Sequence, residues 1–336
     1  MSKRYDILVT GGAGFIGSAL CRNIIKNSNN NLIILDKLTY ASNYKSIEDI
    51  IENKNVSFYQ GSIGNKKIVS EILTKFNPQY VFNLAAETHV DNSISSPEPF
   101  IKTNILDNFY FIDNLLKYYK NLVGLESKKF KFLQISTDEV YGDIDFNQQP
   151  IKETAAYKPS SPYSASKAAG DHLIKAYHRT YGFPGFISNC SNNYGPYQND
   201  EKFIPIIIKN LLNNKKIPVY GSGKQIREWI YIDDHCDALL KLIEFGVPGE
   251  NYNIGTGIEL TNIDLIKNIL LQLNNLSLVN SLNVNDHISF VTDRLGHDKR
   301  YAINSSKTRD LCNWSPKVTL SDGLNKTIDY FLNINN

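Results

Sequence analysis

The segment Thr10-Gly11-Gly12-Ala13-Gly14-Phe15-Ile16-Gly17 constrains this chain more than any other. It follows the apolar run Ile7-Leu8-Val9 and precedes an apolar helical pattern over residues 14–27. Its glycines form Gly12-x-Gly14-x-x-Gly17 and, in overlapping register, Gly11-x-x-Gly14-x-x-Gly17. Strand, glycine turn and helix in that order suit a pyrophosphate. Glycines allow a tight turn and close backbone approach, and the helix start offers free N–H groups and the positive end of its dipole. Asp36 closes the next apolar run, Leu32-Ile33-Ile34-Leu35. A carboxylate there can accept hydrogen bonds from an adenosine ribose and repels a 2′-phosphate, so NAD is expected over NADP. Lys37 beside it softens that preference. The alternative, a glycine turn that only packs helix on strand, has this context against it.

Alternation continues beyond the loop. Val56–Tyr59 reads as a third strand, residues 65–76 as a helix and Tyr80–Leu84 as a fourth strand. A long helix is expected over 99–120, a fifth strand over Phe130–Ile135, a helix over 162–181 and a strand over 185–190. Strands alternating with helices predict an α/β fold, a doubly wound parallel sheet covered on both faces. The pattern loosens after residue 190, where Pro196, Pro205 and Pro218 punctuate short elements. A smaller C-terminal lobe is expected there, with a return to the main sheet through Trp229-Ile230-Tyr231 and Tyr252-Asn253-Ile254. The chain of 336 residues accordingly divides into a dinucleotide-binding domain, 1–190 plus roughly 229–254, and a substrate domain, 191–228 and 255–336.

Composition narrows the partners. Lys+Arg is 36 and Asp+Glu is 34. So even a balance gives no electrostatic footprint for nucleic acid or an anionic membrane. No apolar run reaches the ~18 residues of a membrane span. Cys21, Cys190, Cys236 and Cys312 are far apart and read as buried, reduced thiols, and no His/Cys/Asp cluster suggests a metal. Met1-Ser2-Lys3-Arg4-Tyr5-Asp6 leads straight into a strand, without space for a signal peptide. A cytoplasmic protein is expected.

Two further groups carry chemistry. Tyr163 and Lys167 open the 162–181 helix one turn apart, on one face. Free tyrosine is a poor base near neutrality. A nearby ammonium, together with the positive ring of bound NAD, would favour the phenolate, which could take a hydroxyl proton while hydride leaves the same carbon. Thr137-Asp138-Glu139 follows the fifth strand, at the sheet edge where open α/β folds bind ligands. Adjacent carboxylates repel, which raises one pKa. The protonated member suits a general acid and the ionised member a base. An N-cap and turn pair is the alternative. Arg227, Arg294 and Asn192 are candidates for a substrate diphosphate, since arginine suits bidentate phosphate contact.

Together these residues resemble the extended short-chain dehydrogenase/reductase family, and within it the dTDP-glucose 4,6-dehydratases. The resemblance spans nearly the whole chain. It runs through Thr10–Gly17, Asp36–Ala41, Leu84–Asp91, Ser136–Gly142, Tyr163–Lys167, Asn192–Tyr197, Glu201–Pro205, Gln225–Trp229 and Gly296–Tyr301. Related 4-epimerases lack the acidic pair, and GDP-mannose dehydratases carry Ser at the Asp138 place. UDP-glucose 4,6-dehydratases share the triplet, while Gly296-His297-Asp298 is closer to the dTDP enzymes. The resemblance implies NAD contacts from Gly11, Gly14, Phe15, Ile16, Gly17, Asp36, Lys37, Thr39, Ser62, Ile63, Ala85, Tyr163 and Lys167. It implies catalytic roles for Thr137, Asp138, Glu139, Tyr163 and Lys167, and nucleotide-sugar contacts from His89, Asn192, Glu201, Lys202, Arg227, Asn262, Arg294 and His297. The implied substrate is dTDP-glucose; UDP-glucose with the same chemistry is the alternative, and a non-catalytic NAD-binding module is a second class. A homodimer through the 99–120 and 162–181 helices is also implied, although Phe100, Phe109, Tyr110, Phe111, Tyr118 and Tyr119 could equally be core. Two departures stand out: Ser62 occupies a place where the family usually has Asp near the adenine, and Gln198-Asn199-Asp200 is atypical.

Overall fold

Strands β1 (Asp6–Thr10), β2 (Asn31–Asp36), β3 (Val56–Gln60), β4 (Tyr80–Asn83), β5 (Lys131–Thr137) and β6 (Gly185–Cys190) alternate with helices in this computed structural model. After them come β7 (Asn192–Tyr194), β8 (Ile217–Tyr220), β9 (Ile226–Tyr231), β10 (Asn251–Ile254), β11 (Glu259–Thr261) and β12 (Ile288–Val291). The structure describes residues 4–335; Met1–Lys3, the head of the N-terminal stretch considered above, and Asn336 lie outside the described residues.

The main sheet has the order β10-β6-β5-β4-β1-β2-β3 with every pair parallel. Strand side chains alternate between faces. Ile7, Val9, Leu32, Ile34 and Phe82 therefore join one core, together with Leu20 and Ile24 of the helix Phe15–Asn27. Leu8, Ile33, Leu35 and Val81 join the other, with Ile72, Phe111 and Leu115. Strand order reverses between β1 and β4, and the crevice beyond the carboxyl ends of the strands at that reversal is where such sheets take ligands.

The structure alters three expectations. Trp229–Tyr231 do not return to the main sheet. They belong to β9, the middle strand of a separate sheet, parallel to β7 and antiparallel to β11. A short buried apolar run fits any interior strand, so its pattern does not tell which sheet takes it. Only β10 rejoins, beside β6. The fifth strand runs two residues further than its apolar pattern, to Thr137. The expected helix over 99–120 is three pieces: Glu98–Phe100, a π-helical stretch Ile101–Asp107, and an α-helix Asn108–Asn121. The wider π turn brings Thr103, Asn104 and Asp107 inside. Asn104 accepts from the Glu87 amide at 2.8 Å and donates to its carbonyl at 3.0 Å, which fixes the loop after β4.

The four cysteines are all buried and unbridged. Among the described residues no helix is long and apolar enough to cross a membrane.

Candidate active site

The glycine loop is shaped by sterics. Gly11 has φ +67°. A Cβ on Gly17 would lie 2.1 Å from the Gly11 carbonyl oxygen, a backbone atom that cannot step aside. Gly14 caps the Phe15–Asn27 helix without a side chain, so no protein cap competes for its first N–H groups. That cradle fits a pyrophosphate. Asp36 is nearly buried and accepts from Ala13 N at 2.9 Å, Leu38 N at 2.8 Å and Ser42 Oγ at 2.8 Å. A carboxylate has about four acceptor positions, so room remains for a ribose hydroxyl. Lys37 turns to Glu87 and Thr103, each at 3.2 Å. Ser62 donates to Asp107 Oδ2 at 3.1 Å.

One cleft joins this loop to the acidic triplet. Gly11, Gly14, Phe15, Ile16, Gly17, Asp36, Lys37, Thr39, Ser62, Ile63 and Ala85 line it together with Thr137, Asp138, Glu139, Tyr163 and Lys167. Asn192, Glu201 and Lys202 line it from the smaller lobe. His89, Arg227, Asn262, Arg294 and His297 are not in that lining, because each is engaged by other parts of the protein. His89 caps the Val90–Ser95 helix, with Nε2 3.6 Å from Glu201. Arg227 donates to the carbonyls of Ile226 and Asp298 beneath the Tyr301 ring. Arg294 holds Asp91, His297 holds Asp293 at 2.7 Å, and Asn262 starts a helix with its amide on Gln225. Arg227 and Arg294 still reach the cleft electrostatically, since both act on Glu139.

Thr137 ends β5 and caps the turn Asp138–Tyr141, accepting from Glu139 N at 3.2 Å. Its hydroxyl also lies 3.2 Å from Asp138 Oδ1, while Asp138 Oδ2 is buried with no partner. Burial raises the Asp138 pKa well above the usual carboxylate range, and the charges of Glu139 and Glu228 add to this. Burial also raises Glu139, but Arg227, Arg294 and Lys202 oppose it. The pair is thus split into a group that keeps its proton and one that three cations favour as an anion.

Tyr163 is buried beside Thr137 and Glu139. Its phenol pKa lies well above the usual tyrosine value, first through burial and next through the Glu139 charge; a hydrogen bond with Thr137 opposes the rise. Lys167 is tied to the end of β5. Its Nζ donates to the Ile135 carbonyl at 2.7 Å, and burial lowers its own pKa.

Two buried acids, Asp171 and Glu228, do not stand out in the sequence. Asp171 is wholly buried one helical turn after Lys167, and its Oδ2 accepts from Ser136 Oγ at 2.7 Å, Tyr157 Oη at 3.1 Å and Asn189 Nδ2 at 3.3 Å. The i, i+4 spacing from Lys167 was its only signal. Glu228 is the third residue of β9, accepting from Gly257 N and Ile303 N. Among the described residues no His/Cys/Asp/Glu group could hold a metal.

The family model for GDP-mannose 4,6 dehydratase matches residues 8–327. The dTDP-glucose 4,6-dehydratase of Neisseria gonorrhoeae is 46% identical across 97% of this chain and 95% of its own length. Among solved structures, the dTDP-glucose 4,6-dehydratase of Bacillus anthracis, in complex with NAD, is 35% identical with a TM-score of 0.87, covering 98% of this chain and 97% of that one. DesIV of Streptomyces venezuelae, a dTDP-glucose 4,6-dehydratase solved with NAD bound, is 35% identical with a TM-score of 0.88 and the same coverage. The chain therefore belongs to the dTDP-glucose 4,6-dehydratases of the extended short-chain dehydrogenase/reductase family.

Proposed function

We propose that this chain is an NAD-dependent dTDP-glucose 4,6-dehydratase. One observation carries the proposal: Asp138, buried with its pKa raised, stands next to Glu139, on which three cations act in the opposite sense, in the cleft that the glycine loop also lines. Gly11, Gly14 and Gly17 would hold the NAD pyrophosphate and Asp36 its adenosine ribose, with Tyr163 and Lys167 beside the nicotinamide half. Bound NAD supplies the hydride chemistry, accepting the C4 hydride and returning it to C6.

The protein's own groups move protons. Tyr163 takes the O4 proton while Thr137 hydrogen-bonds O4. The resulting C4 ketone acidifies the C5 hydrogen, and Glu139 removes it. Asp138 gives its proton to the departing O6 hydroxyl, so water leaves across C5 and C6. Glu139 returns a proton to C5 as hydride reaches C6. The product is dTDP-4-keto-6-deoxyglucose. Arg227, Arg294 and Asn192, with His89, Glu201, Lys202, Asn262 and His297, would serve the nucleotide diphosphate and sugar.

The division of labour follows. Residues 1–190 with β10 would carry the cofactor, and the remaining lobe the nucleotide sugar. A homodimer in the cytoplasm fits the exposed Ile101, Leu106 and Phe109 on the 98–121 segment and the four reduced thiols. Incubation with dTDP-glucose and, in parallel, UDP-glucose tests the function, following the absorbance of the 4-keto product in base. Turnover of dTDP-glucose alone is expected. Turnover of UDP-glucose instead would reassign the base, and no product from either would leave an NAD-binding module.

A further inference from the structure

Arg294 lies in the loop after β12 and is held on two sides. Its Nε lies 2.5 Å from Asp91 Oδ1, and Nη2 donates to Asp91 Oδ2 at 3.0 Å. Its guanidinium sits 5.1 Å from the centre of the Tyr220 ring, whose hydroxyl donates to the same Asp91 Oδ2 at 3.3 Å. Asp91 belongs to the short helix after β4, in the NAD-binding lobe, whereas Tyr220 and Arg294 belong to the smaller lobe. The carboxylate thus crosses between lobes. Neither Asp91 nor Tyr220 is among the residues assigned a role above.

A guanidinium is a planar fork with two usable edges. Asp91 takes Nη2 by a hydrogen bond and keeps its other oxygen close to Nε in an ion pair, and the aromatic ring covers a face. The Nη1 side stays open to a second acceptor. Arg294 also acts on Glu139 and Lys202, so its charge faces the cleft. A carboxylate that orients an arginine in this way lowers the ordering cost when a phosphate binds.

We propose that Asp91, supported by Tyr220, is a positioning residue that aims the free edge of Arg294 at the substrate's diphosphate. This rests on the nucleotide-sugar reading and adds to it the groups that set diphosphate affinity. The opposite role is equally concrete: Asp91 could act as a resident anion that the diphosphate must displace. The two differ in sign. Positioning means that Asp91→Asn weakens nucleotide binding; displacement means that it tightens it.

The test is calorimetric titration of the NAD-loaded protein with dTDP, together with steady-state kinetics on dTDP-glucose. Asp91→Asn is expected to weaken dTDP and raise KM about tenfold, with kcat within about twofold, the size of one well-made charge-assisted contact. Tyr220→Phe keeps the ring and loses only the hydroxyl, so about threefold is expected. In an Arg294→Ala background Asp91→Asn should have no further effect on dTDP. Tighter or unchanged dTDP binding in Asp91→Asn overturns the proposal, as does a loss that persists in the Arg294→Ala background. Because dTDP binding is read without turnover, a protein that binds dTDP but leaves dTDP-glucose unchanged sinks the catalytic reading while still testing the positioning role. A wild-type protein that does not bind dTDP overturns both.

Discussion

Lys167 Nζ donates to the backbone oxygen of Ile135 at 2.7 Å, two residues before Thr137. This bond fastens the Pro162–Tyr181 helix to the end of β5. The phenol of Tyr163 and the hydroxyl of Thr137 thereby come within hydrogen-bonding reach of each other. In the proposed mechanism these two hydroxyls and the two acids have separate tasks, which mutation can tell apart.

Replacing Asp138 by Asn together with Glu139 by Gln should leave C4 oxidation detectable and stop elimination. Absorbance of reduced cofactor near 340 nm should then rise and persist on addition of dTDP-glucose, while 4-keto-6-deoxy product falls by at least about 10³-fold. Full dehydration by the double variant would refute the roles given to both acids.

The pH profile follows from the split pair. Asp138 must be protonated to act, so activity is lost as pH rises through its raised pKa. Glu139 must be ionised, so activity is lost as pH falls through its own. Lys202 is one of the cations that hold Glu139 down. Lys202→Met should therefore move the acid limb of kcat to higher pH. An acid limb that stays put would remove Lys202 from this role.

Asp171 sets a pH dependence of stability rather than of activity. Burial pushes its carboxyl from 3.8 to about 6. A folded-state pKa above the unfolded one favours the folded form below the unfolded value, and that advantage disappears as pH rises through about 6; for a buried group the loss is about 3 kcal/mol. Thermal melts at about pH 4 and about pH 7 should show the wild type losing more stability over that interval than Asp171→Asn. Equal slopes would contradict the burial account.

Gly17→Ala places a methyl on the Gly11 carbonyl oxygen. With backbone on both sides nothing can yield cheaply, so a loss of at least about 2 kcal/mol is expected, along with the thermal stabilisation that added NAD gives the wild type. Calorimetry with and without NAD checks both.

Much of the layout was legible in the sequence, for local reasons. The glycine loop, Asp36 and the Tyr163–Lys167 spacing encode short-range geometry, and the structure brings all of them to one cleft with the acidic triplet. What escaped depends on long-range contact. Trp229-Ile230-Tyr231 of β9 are as apolar as a stretch of main-sheet strand, and only pairing with β7 and β11 decides where they go. The π turn at Ile101–Asp107 keeps a helical pattern while shifting which residues face inward. Lys167 looks like a partner for Tyr163 by spacing, yet the Ile135 carbonyl that takes its proton donor lies 32 residues earlier.

The sequestered sulfurs have a practical consequence. Burial raises the thiol pKa at Cys21, Cys190, Cys236 and Cys312, to about 12 for Cys190, so little thiolate is available to an alkylating dye near neutrality. The natural chain is a silent background for labelling. One engineered sulfhydryl at exposed Leu295, next to Arg294, and another at exposed Tyr40 would carry a fluorophore pair whose energy transfer reads any change in their separation when nucleotide is added.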